Sequence, residues 1–301
     1  MAMGAVYRSH RPDWVLVHGD TATTLSASIA GFYEKVRVGH VEAGLRTYDM
    51  TRPWPEEMHR RVVGAVSSLH FAPTAAARDH LLREGVADER IEVTGNTAID
   101  ALLGVVALLR DRPEIKRSVE SRFPFLDEKP MILVTGHRRE NLDGGLAGVC
   151  TALREIVQRN DVRIVYPVHR NPAVVETAQQ ALADIPRVHL IEPVDYLDFV
   201  YLMTRSHLII TDSGGIQEEA PSLGKPVLVT RDVTERPEAV AAGAVELVGT
   251  DPQHIIEATT RLLEDTAHYR RMSEASNPFG DGLARERIVR RLLRSKTAPA
   301  S

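Results

Sequence analysis

The stretch Leu208–Asp232, LIITDSGGIQEEAPSLGKPVLVTRD, decides the fold. It holds a β-rich run (LIITD), a Ser-Gly-Gly corner, a helix opening with Glu218 and Glu219 one turn inside it, and a second β-rich run (PVLVT). Strand, glycine corner, helix and strand in that order make the βα unit of a parallel sheet. The corner lets the backbone come close to a ligand. The helix behind it aims unpaired N–H groups and a positive dipole end at the same spot, which suits a diphosphate. A carboxylate would repel a diphosphate unless it faced hydroxyl groups instead, as an acid does when it accepts from the 2′- and 3′-OH of a ribose; Glu219 is read in that role, and the unit as a nucleotide site. The plainer alternative is that Glu218 and Glu219 only complement the helix dipole.

Outward from this unit, short β-branched runs alternate with amphipathic stretches. Strands are expected at 14–19, 36–41, 69–72 and 91–94, and again at 131–135, 163–168, 188–192, 208–212, 226–230 and 244–248. One helix is expected from about Asp251 to Ser273 and a last one at about 283–295. The class is α/β, with two Rossmann-type doubly wound parallel sheets facing a cleft. The first domain covers 1–112. A charged connection with Pro113, Pro124 and Pro130 covers 113–130, and the nucleotide-binding domain covers 131–301, its last helix packing back on the first. A chain of 301 residues, 43% hydrophobic and 26% charged, has the length and composition of a two-domain globular enzyme. A net charge of −4 speaks against a nucleic-acid surface, and the single Cys150 excludes a disulfide framework and a Cys-rich zinc site. With no apolar run of membrane-spanning length, the expected setting is the cytoplasm, with no membrane partner.

Polar residues crowd the strand ends, where open α/β sheets carry their chemistry. His18 and Asp20 follow the first strand, and His40, Glu42 and Arg46 the second; Glu56, Glu57 and Arg60 stand in RPWPEEMHRR, and TGHRREN, HRNP and RDVTERPE close later strands. Each cluster alone reads equally well as caps and turns: Asp20 and Thr21 as N-cap residues, Glu56 and Glu57 as first-turn acids after Pro55. Six in one chain point to a site. Pairs such as His18 with Asp20, or His40 with Glu42, offer too few ligands for a metal, and none is expected.

The blocks VLVHGDTATT (15–24), VGHVEAGLRT (38–47), PWPEE (53–57), VTGNTAIDALL (93–103), ILVTGHRREN (132–141), IVYPVHRNP (164–172), residues 209–229, TERPEAV (234–240) and NPFGDG (277–282) resemble the bacterial non-hydrolysing UDP-N-acetylglucosamine 2-epimerases. The resemblance runs from Trp14 to the last helix. It implies a GT-B-like fold, a homodimer, no cofactor, and interconversion of UDP-N-acetylglucosamine and UDP-N-acetylmannosamine through elimination of UDP to 2-acetamidoglucal and re-addition. It places functional carboxylates at Asp20, Glu42 and Glu56, with His137 beside the diphosphate. It also gives a phosphate corner at Ser213, Gly214 and Gly215, the ribose contact at Glu219 and a contact near the uracil at Phe199. Arg138 and His169 match positions that touch a second UDP-N-acetylglucosamine acting as activator. Arg60 and Arg236 are candidate substrate cations, with structural ion pairs as the alternative.

Family members open with a strand, a GTRPE-like loop and roughly two βα units before the VHGD block. MAMGAVYRSHRPDW supplies only the tail of a helix, so the expectation is an incomplete first sheet and weak or no activity for these 301 residues alone. Two other activities share the pattern, a hydrolysing relative releasing N-acetylmannosamine and UDP and a GT-B glycosyltransferase. A nucleotide-sugar-binding fragment without catalysis is the third alternative.

Overall fold

The computed structural model describes residues 2–136, 138 and 144–296. Among them are ten strands: β1 (Trp14–His18), β2 (Arg37–Val41), β3 (Leu69–Ala72), β4 (Ile91–Val93), β5 (Met131–Thr135), β6 (Arg163–Pro167), β7 (Val188–Ile191), β8 (Leu208–Thr211), β9 (Val227–Val229) and β10 (Val245–Leu247). Fourteen α-helices accompany them: α1 (Ala2–His10), α2 (Ala22–Tyr33), α3 (Glu56–Val66), α4 (Ala75–Arg83), α5 (Thr97–Asp111), α6 (Pro113–Glu120), α7 (Gly145–Arg159), α8 (Pro172–Leu182), α9 (Tyr196–Arg205), α10 (Gly214–Glu219), α11 (Pro237–Ala241), α12 (Pro252–Glu264), α13 (Thr266–Ser273) and α14 (Ala284–Lys296). The chain divides into two compact units, 1–101 with 279–301, and 102–278.

The first unit is a parallel sheet in the order β1-β2-β3-β4. Strands laid down in sequence order with right-handed crossovers put every connecting helix on one face. Ala27 of α2 and Val63 of α3 accordingly pack with Val17 and Val38, and Ala77 and Leu81 of α4 with Ala72. The other face has no crossover to cover it and takes α14, whose Ile288 packs on Leu69 and Phe71. Asp100 holds that helix in place, its carboxylate accepting from the backbone N–H of Ala284 (3.1 Å) and Arg285 (2.9 Å), a cap supplied from far away in the chain. Among the described residues β1 pairs only with β2, and its Leu16 is 49% exposed.

The second unit is a parallel sheet in the order β10-β9-β8-β5-β6-β7. The chain begins at the centre, winds outward to β7, then returns to the other side of β5. The switch point lies between β5 and β8, where ligands bind in such sheets. The two strand ends are stitched there by the hydroxyls of Thr135 and Thr211, 2.6 Å apart. Both strands are buried along their length because helices cover both faces, which is why LIIT and MILV are unbroken apolar runs. Val119 and Phe123, from the stretch 113–130, are buried in this unit, with Phe123 stacked on Tyr201 of α9 at 6.1 Å.

One expectation is corrected. The amphipathic pattern from Asp251 to Ser273 is two helices, α12 and α13, broken at Asp265. That residue leaves helical geometry (φ −95°, ψ 93°) and its carboxylate accepts from the backbone N–H of His268 at 2.9 Å, capping the second helix, a competition with the backbone that aspartate wins readily. No helix among the described residues is long and apolar enough to cross a membrane.

Candidate active site

In the first unit the polar residues gather at the carboxyl ends of β1 and β2. Gly19 has φ +66°, and a Cβ there would stand 3.1 Å from Glu42 Oε2, so the loop after β1 turns tightly against Glu42 only because residue 19 is glycine. Glu42 is itself left-handed (φ 63°), a conformation that costs a non-glycine residue free energy and collects at functional sites. Its Oε2 lies 3.7 Å from His18 Nδ1. Thr21, not Asp20, caps α2, which leaves the Asp20 carboxylate to other partners. Arg60 holds it, with Nε 2.9 Å and Nη2 2.8 Å from Oδ2. Two histidines hold the backbone beside it: His59 Nδ1 lies 2.7 Å from the Asp20 carbonyl oxygen and His40 Nε2 2.8 Å from that of Gly19. Burial pushes His40 down to about 4, a shift reinforced by Arg46, so the ring is neutral and donates its one proton to Gly19.

Glu56 opens α3, half-buried and without a hydrogen-bond partner among the described residues. Its neighbour Glu57 is fully buried. The structure thus sets Asp20 and Glu42 about Gly19 and ties Asp20 to the helix that Glu56 begins. His59 is not among the residues singled out from the sequence, and His40 and Glu57 enter there only as members of polar clusters, with no role of their own. The spacing of Glu57, Arg60, Val63 and Gly64, all on the buried face of α3, was the available signal.

In the second unit the glycine corner follows β8. Thr211 Oγ1 accepts from the Ser213 N–H at 2.9 Å, and Gln217 Nε2 donates to the Ser213 carbonyl at 3.1 Å, so the corner is held from both ends. Two guanidinium groups stand beside Gly214: a Cβ there would lie 3.7 Å from Arg236 Cζ and 3.8 Å from Arg138 Nη2. Arg138 also donates its backbone N–H to the buried Asp212 (Oδ2, 2.8 Å). Glu218 is ion-paired with Arg236 through Nε and is buried, while Glu219 faces Tyr196. The two adjacent acids therefore differ in environment, and Glu218 serves as the counter-ion of a cation at the corner rather than as a dipole complement. Glu218→Ala removes a buried ion-pair partner of Arg236, and a loss of about 2 kcal/mol in urea unfolding is expected.

Burial raises Glu219 to about 7, Tyr196 opposing by its hydrogen bond and Glu218 adding by its charge. A carboxyl whose native pKa is raised contributes stability that is complete below its unfolded pKa and disappears as pH climbs toward the native one. The stability difference between the wild type and Glu219→Gln is therefore expected to move against the wild type as unfolding is measured from about pH 5 to about pH 7. Phe199 is half-buried on α9; His169 is exposed, its Nδ1 accepting from the Asn171 N–H at 3.1 Å. His137 lies outside the described residues.

Two parallel-sheet α/β units, one carrying an acid cluster and the other a glycine corner with flanking arginines at its switch point, form a GT-B-like α/β protein. A family model described as UDP-N-acetylglucosamine 2-epimerase matches residues 1–293, and the chain belongs to that family. It is 56% identical over 289 residues to the UDP-N-acetylglucosamine 2-epimerase of Yersinia pestis, covering 95% of this chain and 77% of that protein. With the corresponding protein of Escherichia coli K12 the identity is 55% over 288 residues, at the same coverage. The crystal structure of UDP-GlcNAc 2-epimerase from Neisseria meningitidis bound to UDP-GlcNAc superposes with a TM-score of 0.90 at 49% identity, covering 97% of this chain and 79% of that one. The Methanocaldococcus jannaschii enzyme in complex with UDP-GlcNAc and UDP gives a TM-score of 0.79 at 36% identity, over 97% of this chain and 79% of that one.

Proposed function

We propose that this chain interconverts UDP-N-acetylglucosamine and UDP-N-acetylmannosamine without releasing the sugar. The match along 95% of the chain to a UDP-N-acetylglucosamine 2-epimerase carries the reading, because it spans both the acid cluster and the glycine corner.

The hydrogen on sugar carbon 2 is not acidic, since its neighbour is an acetamido nitrogen and no carbonyl conjugates with the carbon. Removing it therefore goes together with loss of the group on carbon 1. A base takes the proton, the C–H electron pair becomes the C1–C2 double bond, and the C1–O bond breaks to leave 2-acetamidoglucal and UDP. In the return step an oxygen of UDP adds to carbon 1 while an acid delivers a proton to the other face of carbon 2. Two faces need more than one acid/base group, and Asp20, Glu42 and Glu56 supply them. The departing diphosphate gains negative charge, which the corner Ser213, Gly214 and Gly215 and the cation Arg236 stabilise, with His137 beside it. Arg60, the other candidate substrate cation, is engaged with Asp20 and Glu57. Glu219 takes the ribose hydroxyls and Phe199 lies near the uracil. A second UDP-N-acetylglucosamine acts as activator through Arg138 and His169, and the working form is a cytoplasmic homodimer.

Incubation with UDP-N-acetylglucosamine and no acceptor tests the reading. Accumulation of UDP-N-acetylmannosamine is expected; free N-acetylmannosamine with UDP means hydrolysis instead, and an unchanged sugar nucleotide that still binds by calorimetry means a binding protein.

A further inference from the structure

Glu56 and Glu57 are neighbours in sequence with opposite surroundings. Glu57 is 0% exposed, and an ionised carboxylate taken out of water needs donors to replace the solvent. It has three: the backbone N–H of Tyr48 on Oε1 at 3.1 Å, that of Thr47 on Oε2 at 3.1 Å, and Arg60 Nη1 on Oε2 at 3.3 Å. The first two tie it to the segment that leads from Glu42 toward Glu56. The third fixes one edge of the Arg60 guanidinium and turns the other, Nε and Nη2, onto Asp20 Oδ2. Asp20 is thus gripped at its carboxylate by Arg60 and at its backbone by His59, while Oδ1 carries no hydrogen bond among the described residues. A guanidinium is a planar fork, so locking one edge locks the direction of the other.

We propose that Glu57 is a positioning residue, which through Arg60 sets the Asp20 carboxylate so that Oδ1 is the oxygen that handles the carbon-2 proton. The proposal rests on the reading of Asp20 as one of the acids of the reaction. Its chemistry differs from that of Glu56: Glu57 exchanges no proton and touches no substrate, and its effect is one of orientation, on which proton transfer depends steeply.

The experiment is steady-state kinetics with UDP-N-acetylglucosamine on Glu57→Gln, Arg60→Met, Arg60→Lys, Asp20→Asn and the double variant Glu57→Gln/Asp20→Asn, each checked for folding by circular dichroism. Glu57→Gln is expected to lower kcat by about tenfold or more while KM stays within about twofold, the split that a loss of orientation gives. Arg60→Lys should recover part of what Arg60→Met loses, and adding Glu57→Gln to Asp20→Asn should cost less than about twofold more, because both act through one group. The proposal is overturned if folded Glu57→Gln keeps wild-type kcat, or if its loss multiplies in full onto that of Asp20→Asn. Should Glu57→Gln fail to fold, wild-type kcat in Arg60→Met overturns it equally. An inactive Asp20→Asn beside an unimpaired Glu57→Gln removes only the positioning role; a fully active Asp20→Asn removes the reading of Asp20 itself.

Discussion

Asp20→Asn is expected to lower kcat by about 10² to 10⁴, the usual range for a positioned acid/base group, while the protein stays folded. The substitution keeps the shape of the side chain and the two backbone contacts that His59 and His40 make around it, since both go to carbonyl oxygens. It removes the ability of this side chain to take a proton from the sugar and leaves Arg60 with Glu57 as its remaining carboxylate partner. Arg60 is mostly buried, so some stability is lost too, and the kinetic comparison is made well below the melting temperature of the variant. Circular dichroism alongside turnover separates the two effects. A folded variant turning over at the wild-type rate would remove Asp20 from the chemistry.

Gly44→Ala is expected to be the most destabilising single change in the first unit. Gly44 has φ +89°, and a Cβ there would stand 2.2 Å from the carbonyl oxygen of Ala77 and 2.8 Å from its carbon. Neither neighbour is a flexible side-chain tip; both belong to the backbone of α4. The loop cannot step aside, because Ala43 donates its N–H to the Phe71 carbonyl (3.0 Å) and His80 Nδ1 lies 2.9 Å from the Gly44 carbonyl oxygen. Strain of the left-handed backbone adds to the clash, and a loss on the order of 3–5 kcal/mol is expected, a large part of the stability of an ordinary domain. Gly44 sits between Glu42 and Arg46, so activity should fall with it. Urea unfolding reads the first effect; an unchanged midpoint would mean that the loop and α4 separate freely.

β5 and β8 were legible because strands buried on both faces need unbroken β-branched and aliphatic runs. The break at Asp265 was not, since the apolar periodicity runs on past it and only a local cap interrupts the helix. The kinds of residue at the strand ends were legible as well. Their pairings were not: Glu57 reads as a first-turn acid until Arg60 is seen turned onto Asp20, a partner 40 residues away, and Glu218 as a dipole complement until Arg236, 18 residues on, is found against it. Sequence shows helix faces and turn chemistry over one or two turns. Which side chain meets which across a sheet edge depends on the crossover, and that is where the buried carboxylates meet their partners.

The elimination and re-addition of UDP is tested most directly by running the reaction in deuterium oxide, with the product sugar nucleotide examined by NMR and mass spectrometry. The account predicts UDP-N-acetylmannosamine carrying deuterium at carbon 2, with deuterium also entering carbon 2 of the UDP-N-acetylglucosamine pool at equilibrium. An epimer that keeps its original hydrogen at carbon 2, or free N-acetylmannosamine in place of a sugar nucleotide, would contradict it.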